Sequence, residues 1–188
     1  MKAREFNPLR LDVQAFIQDE AALQGQWPLA SLSRLAEEAH SDAPAGDQPV
    51  DWSAAGKQVP RRGGEPELWM HLRAHTRISL ECQRCLKPVE AELEVERDFR
   101  FVADERLAAE VDADSEEDVL AISRSLNLQE LVEDELILAL PLVPRHEVCP
   151  APLQASTDPE SLAPEADAPG EKKNPFAVLA QLKNKKPS

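Results

Sequence analysis

Three cysteines and four histidines are the scarce reactive side chains of this chain. Cys82 and Cys85 stand in LECQRCLKPVE, residues 80–90, with the C-x2-C spacing of half a tetrahedral zinc site. His146 and Cys149, spaced H-x2-C, are candidates for the other half, which would give a Cys3His set for a structural zinc ion. The two halves are far apart in sequence, so only the fold can bring them together. Leu86 also stands where a zinc knuckle commonly carries glycine. Thiol redox chemistry is the second reading of C-x2-C. It needs a helix N-terminus to activate the thiolate, and this pair lies between two strand patterns. The third reading is two reduced cysteines that shape a turn. The zinc and turn readings both stay open.

Arg61, Arg62, Arg73, Arg77, Arg84 and Lys87 gather around the same region, with Trp69, His71 and His75 among them. Arginine beside aromatic faces can hold RNA by phosphate contact and stacking. Arg73, Arg77, Arg84 and Lys87 are therefore the candidate RNA contacts. The competing reading pairs the arginines with Glu90, Glu92, Glu94 and Glu96 across a hairpin. His71 and His75, four apart on a strand, are too widely spaced for one metal and read as surface residues. No P-loop, G-x-S-x-G, H-E-x-x-H or G-x-G-x-x-G motif occurs, so no enzymatic activity is expected.

The elements that must place these groups follow from periodicity. ELWMHLRAHTRISLEC, residues 67–82, alternates strictly: Leu68, Met70, Leu72, Ala74, Thr76, Ile78 and Leu80 share one face. VEAELEVERDFRFV, from residue 89, repeats the pattern with Val89, Ala91, Leu93 and Val95 against Glu90, Glu92, Glu94 and Glu96. The two strands form a long hairpin with CQRCLKP at its tip. Upstream, Asp12 caps a short helix, residues 22–29 read as a short strand with Gly25 near an element boundary, and Ser31 caps a second helix. Residues 50–59 read as a weaker strand. The acidic stretch 103–119 reads as a surface loop.

A helix is expected over 127–140, with Leu128, Leu131, Val132, Glu135, Leu136 and Ala139 on one side. Glu130, Glu133 and Asp134 lie opposite; Ile137 falls among them, either covered by another segment or a docking point, and Pro141 stops the helix. Residues 150–172 are proline-rich and too polar to offset ordering entropy, which predicts a disordered linker. Residues 173–188 predict a short amphipathic basic helix, with Asn174 as cap, Pro175 in the first turn and Phe176 on its apolar side. Glu130, Glu133, Asp134, Ile137 and Phe176 are the candidate partner contacts. The expected organisation is one α+β domain over 1–149, an antiparallel sheet built on the long hairpin with short helices, followed by linker and tail.

Composition narrows the partner class. The chain has 188 residues and a formal charge of −14, with 30% charged residues and no tyrosine. A general phosphate binder would carry the opposite sign, so RNA contact must be local, and basic proteins are the natural partners of the remaining surface. No apolar run approaches the roughly 18 residues of a membrane span, and MKAREFNPLRLD holds no signal-peptide core. A cytoplasmic protein without membrane contact or small-molecule substrate is expected.

CQRCLKP, then LVEDELILALPLVPRHEVC, then NPFAVLAQLK resemble, in that order, the YceD family of large ribosomal RNA subunit accumulation proteins. The resemblance runs from the N-terminal segment to the tail. It implies a bacterial, non-catalytic ribosome-biogenesis factor that supports synthesis, processing or stability of large-subunit ribosomal RNA. The implied partners are that RNA or its precursors, a basic ribosomal protein, or both. Relatives carry more cysteines in the region matching His146 to Cys149, where this chain has only a histidine and a cysteine. The alternative is a small zinc-binding protein–protein adaptor with no ribosome role.

Overall fold

The computed structural model describes residues 4–150 apart from 114 and 116. The expected linker from 151 onward and the tail with Phe176 lie outside the described residues. The fold is α+β, with five strands in the order β1-β2-β3-β4-β5. β1 (Ala22–Pro28), β2 (Pro49–Val59), β3 (Glu67–Glu81) and β4 (Pro88–Val102) form an antiparallel meander. β3 and β4 make the long hairpin, with Arg73 opposite Glu96 and Arg77 opposite Glu92.

The period-two pattern buries one face. Met70, Leu72, Ala74, Ile78 and Leu80 of β3 join Leu93, Val95, Phe99 and Phe101 of β4 in a single core. Four helical segments among the described residues cover it. α1 (Val13–Gln18) is capped by Asp12, whose carboxylate accepts the Ala15 N–H, and it buries Val13, Phe16 and Ile17. The Leu29–Ser31 turn and α2 (Ser33–Glu37) contribute Leu29, Leu32 and Leu35. α4 (Leu128–Leu138) contributes Leu128, Val132 and Leu136.

Two elements differ from the expectation. The acidic stretch 103–119 holds α3 (Glu105–Asp112), started by Asp104, whose side chain accepts the Leu107 N–H at 2.9 Å. Behind it, β5 (Asp118–Ala121) adds in parallel to β4, so the sheet is not wholly antiparallel. The local signal was an N-cap aspartate followed by Leu107 and Val111, four residues apart and masked by surrounding acids. Gly25 lies in the middle of β1, not at a boundary. It faces Trp52, which stacks on Trp27 at 4.4 Å between ring centroids, and a Cβ on Gly25 would stand 3.0 Å from the Trp52 ring.

Gly56 sets how closely α1 approaches the sheet. A Cβ there would lie 2.8 Å from the Ile17 Cα and 3.0 Å from the Phe16 carbonyl oxygen. Both are backbone atoms, so α1 would have to move. Gly56→Ala should lower unfolding free energy by about 1–3 kcal/mol, measured by urea denaturation. An unchanged midpoint would show that α1 is free to slide.

Candidate metal centre

The hairpin tip is a tight knuckle. The Cys82 N–H donates to the Lys87 carbonyl at 3.0 Å, and the Leu86 N–H returns to the Cys82 carbonyl at 2.8 Å. Closing this loop puts Leu86 in the left-handed region, at φ 57°. That is the conformation for which glycine is the usual choice at this position. Leu86 is 62% exposed, so its side chain buries little in return. Leu86→Gly should therefore raise stability by about 1 kcal/mol, read as a higher urea midpoint. A fall would mean that the leucine side chain anchors the knuckle.

The second half arrives from the end of α4. The Pro144 carbonyl accepts the Gln83 N–H at 2.9 Å, which docks the segment after α4 against the knuckle. His146 Nε2 lies 3.0 Å from the Pro88 carbonyl. A carbonyl only accepts, so Nε2 carries the proton and Nδ1 turns its lone pair inward. Nδ1 lies 3.5 Å from Cys85 Sγ. A ligand histidine held through its other nitrogen by a backbone carbonyl is the usual outer support of a metal site.

The ligand atoms of Cys82, Cys85, His146 and Cys149 all lie within 4.8 Å of one another. Zinc bonded to sulfur at about 2.3 Å in a tetrahedron needs sulfurs roughly 3.8 Å apart, so the donors need only small movements to close on an ion. Charge points the same way. Burial alone would raise the Cys82 thiol, but the backbone N–H groups of His146, Arg84 and Cys85 outweigh it and bring the pKa down to about 5. Cys149 goes the other way: burial pushes it up, and the adjacent Cys85 and Cys82 sulfurs push it further. Three sulfurs this close disfavour a second negative charge, and a divalent cation removes that penalty. The donor set suits a closed structural zinc site with all four protein ligands.

One supporting residue escaped the sequence. His40, buried at 7% exposure, accepts the Asp42 N–H on Nδ1 and donates from Nε2 to the Leu86 carbonyl at 3.2 Å. It ties the loop after α2 to the knuckle. A lone histidine before SDAP carries no spacing by which to recognise this role.

The other candidate residues separate. Arg84 and Lys87 are exposed at the tip beside the cluster. Arg73 and Arg77 pair across the hairpin. Arg73 pairs with Glu96 at 2.6 Å and Arg77 with Glu92 at 3.5 Å, on a face that also carries Glu90, Glu94 and Asp98. His71 and His75 bond to Asp98 and Glu92 on that face. Arg73 hydrogen-bonds Glu96 and lowers its pKa, and His75, followed by Arg77, does the same for Glu92. The net charge of this face is negative, which opposes phosphate.

The acidic face of α4 is likewise partly used within the molecule. Glu133 is buried and Asp134 pairs with Arg34. Ile137 is partly buried and packs against the core, so of its two readings the covered one holds over the docking point, whereas the next residue, Leu138, is 75% exposed. The expected apolar side of Leu128, Leu131, Val132 and Leu136 faces the core, and burial extends around the helix to Glu133 and Ile137. Glu130 remains exposed at the first turn. No helix among the described residues is long and apolar enough to cross a membrane.

Comparison with known proteins bears on this geometry. No solved structure matches the chain. A large ribosomal RNA subunit accumulation protein of Haemophilus influenzae is 41% identical over 108 residues, 57% of this chain and 61% of that relative. This chain therefore spans less than two thirds of the relative's length. The family model "Large ribosomal RNA subunit accumulation protein YceD" matches residues 70–183, from the first core residues of β3 through both halves of the cysteine–histidine cluster. With more than half of its length inside that match, the chain belongs to the YceD family.

Proposed function

We propose that this protein is a non-catalytic ribosome-biogenesis factor that supports synthesis, processing or stability of large-subunit ribosomal RNA. Its partners on this reading are that RNA or its precursors, a basic ribosomal protein, or both. The observation that carries the reading is the family match over residues 70–183, which includes all four residues of the cluster. Cys82, Cys85, His146 and Cys149 would hold a structural zinc ion, which would supply a cross-link between hairpin tip and the end of α4. Arg84 and Lys87 beside that cross-link are the residues we assign to RNA.

The test is co-sedimentation of the tagged full-length chain with large-subunit precursors, together with the level of large-subunit RNA in a deletion strain. The expected results are association with precursors and reduced accumulation. Normal accumulation and no association would remove the reading. RNA crosslinking should fall when Arg84 and Lys87 become Ala and stay unchanged when Arg73 becomes Ala.

A second reading is favoured by the knuckle itself. A metal-pinned hairpin tip with exposed Leu86 beside a segment carrying exposed Leu142, Val143 and Val148 is also what a zinc-binding protein–protein adaptor would present. Retained zinc without any ribosomal association would select it.

A further inference from the structure

β5 covers only the end of β4: Phe99–Val102 pair with Asp118–Ala121. From Val89 to Asp98, β4 is paired on one side alone, to β3. The parity of its free side can be read from two bonds. The Cys82 N–H donates to the Lys87 carbonyl on the β3 side, and the Ile122 N–H donates to the Val102 carbonyl on the β5 side. Backbone groups alternate sides along a strand. Glu90, Glu92, Glu94 and Glu96 therefore turn their N–H and C=O groups outward, and among the described residues no hydrogen bond meets them.

A long half-paired edge is a template for another strand. Its surroundings specify which. The glutamates share one face with Asp98, and Glu90 and Glu94 form no ion pair among the described residues. Beside the edge, a groove of about 340 Å³ runs between Val89 and Ala91 on β4 and Ala139, Pro141 and Val143 after α4. We propose that the β4 edge takes an extended, basic segment of a partner protein as a sixth strand. Its lysines or arginines would face the glutamates, and its alternate apolar residues would enter the groove. The proposal rests on the reading of the chain as a binding factor and gives its basic protein partner a site.

Other occupants fit less well. RNA is repelled by the carboxylates. A second copy would set β4 against β4 and place glutamate opposite glutamate, which is destabilising. The other sheet edge, β1, is shorter, offers uncharged Gln24 and Gln26, and ends at Pro28.

The test uses the full-length protein and a capped ten-residue peptide of alternating lysine and valine, with two relatives N-methylated at every lysine or at every valine. In an antiparallel sixth strand the lysine N–H groups face β4, so lysine methylation should weaken binding at least about tenfold while valine methylation changes it by less than about threefold. The reverse pattern marks parallel addition and supports the site equally. Equal affinities for all three peptides would reduce binding to charge alone and overturn the proposal. Hydrogen exchange should show the Glu90, Glu92 and Glu94 amides unprotected in the free protein and slowed by the peptide. Protection in the free protein would mean that the edge is already covered, which also overturns it. Glu90→Lys with Glu94→Lys alters two exposed side chains and should abolish binding without lowering the melting temperature. Co-sedimentation without peptide binding removes this inference alone, whereas peptide binding without co-sedimentation removes the ribosomal reading and leaves the edge site standing.

Discussion

The purified protein should carry one zinc ion per chain, and Cys82→Ser should lose it. Cys82 is fully buried, and the nearby backbone N–H groups of His146, Arg84 and Cys85 favour its thiolate. The fold thus prepares this sulfur as an anion. Serine keeps the shape but not a ligating anion. The loss should exceed the roughly 10–100-fold typical of disturbing an outer support, measured by competition with a chromogenic chelator. Sub-stoichiometric metal in the unaltered protein, or equal affinity after Cys82→Ser, would end the zinc assignment. Metal removal should act locally. The Gln83 and Leu86 amides should exchange faster, while amides in the middle of β3 keep their protection, because the sheet core is built without the cluster.

The pH dependence follows from the same thiol. In the metal-free protein Cys82 titrates near 5, below its ordinary value of 9.0. A depressed pKa contributes stability that is complete above the unfolded value, declines as pH falls from about 9 toward 5, and is absent below that. Metal-free protein should thus melt at a lower temperature at pH 5 than at pH 8. Metal affinity should fall in the same direction, since zinc must displace protons from the thiols.

How much of this could be read from the residues depends on sequence distance. Each half of the cluster was visible because its two ligands are neighbours in the chain. Their meeting was not, because it depends on the Gln83–Pro144 bond and on where α4 ends. The hairpin was legible from its alternation, and so was the possibility that its arginines pair across strands. The partner of Arg73 depended on register, which sets Glu96 directly opposite. α4 was legible within two residues at each end, and so was its apolar side, but the burial of Glu133 was not. Ile137 and Leu138 differ by one position, and only packing decides which of them meets the core.

α2 carries the same lesson furthest, and Glu133→Ala should be the most damaging substitution on the acidic side of α4. The expected cap of this helix was Ser31. The observed N-cap is Leu32, which has no side chain able to accept. Glu133, from α4, does the capping instead: Oε1 accepts the Arg34 N–H at 2.7 Å and the Leu35 N–H at 3.2 Å. Its other oxygen accepts from the Arg34 guanidinium at 2.9 Å and 3.1 Å. Alanine would strand two backbone donors at a helix start, one of them on buried Leu35, at about 1–3 kcal/mol each. Arg34 is 51% exposed and can turn to water, so its half of the ion pair adds little. The expected loss is about 2–4 kcal/mol. Glu133→Gln keeps an acceptor for the backbone donors and should lose less than half as much. Glu135 gives the contrast: it is also buried, burial raises its pKa, and its ion-pair partner among the described residues, Arg97, lies at 3.4 Å. Glu135→Gln should leave stability within about 1 kcal/mol. Equal effects from Glu133→Ala and Glu133→Gln would show that the charge, rather than the cap, joins α2 to α4.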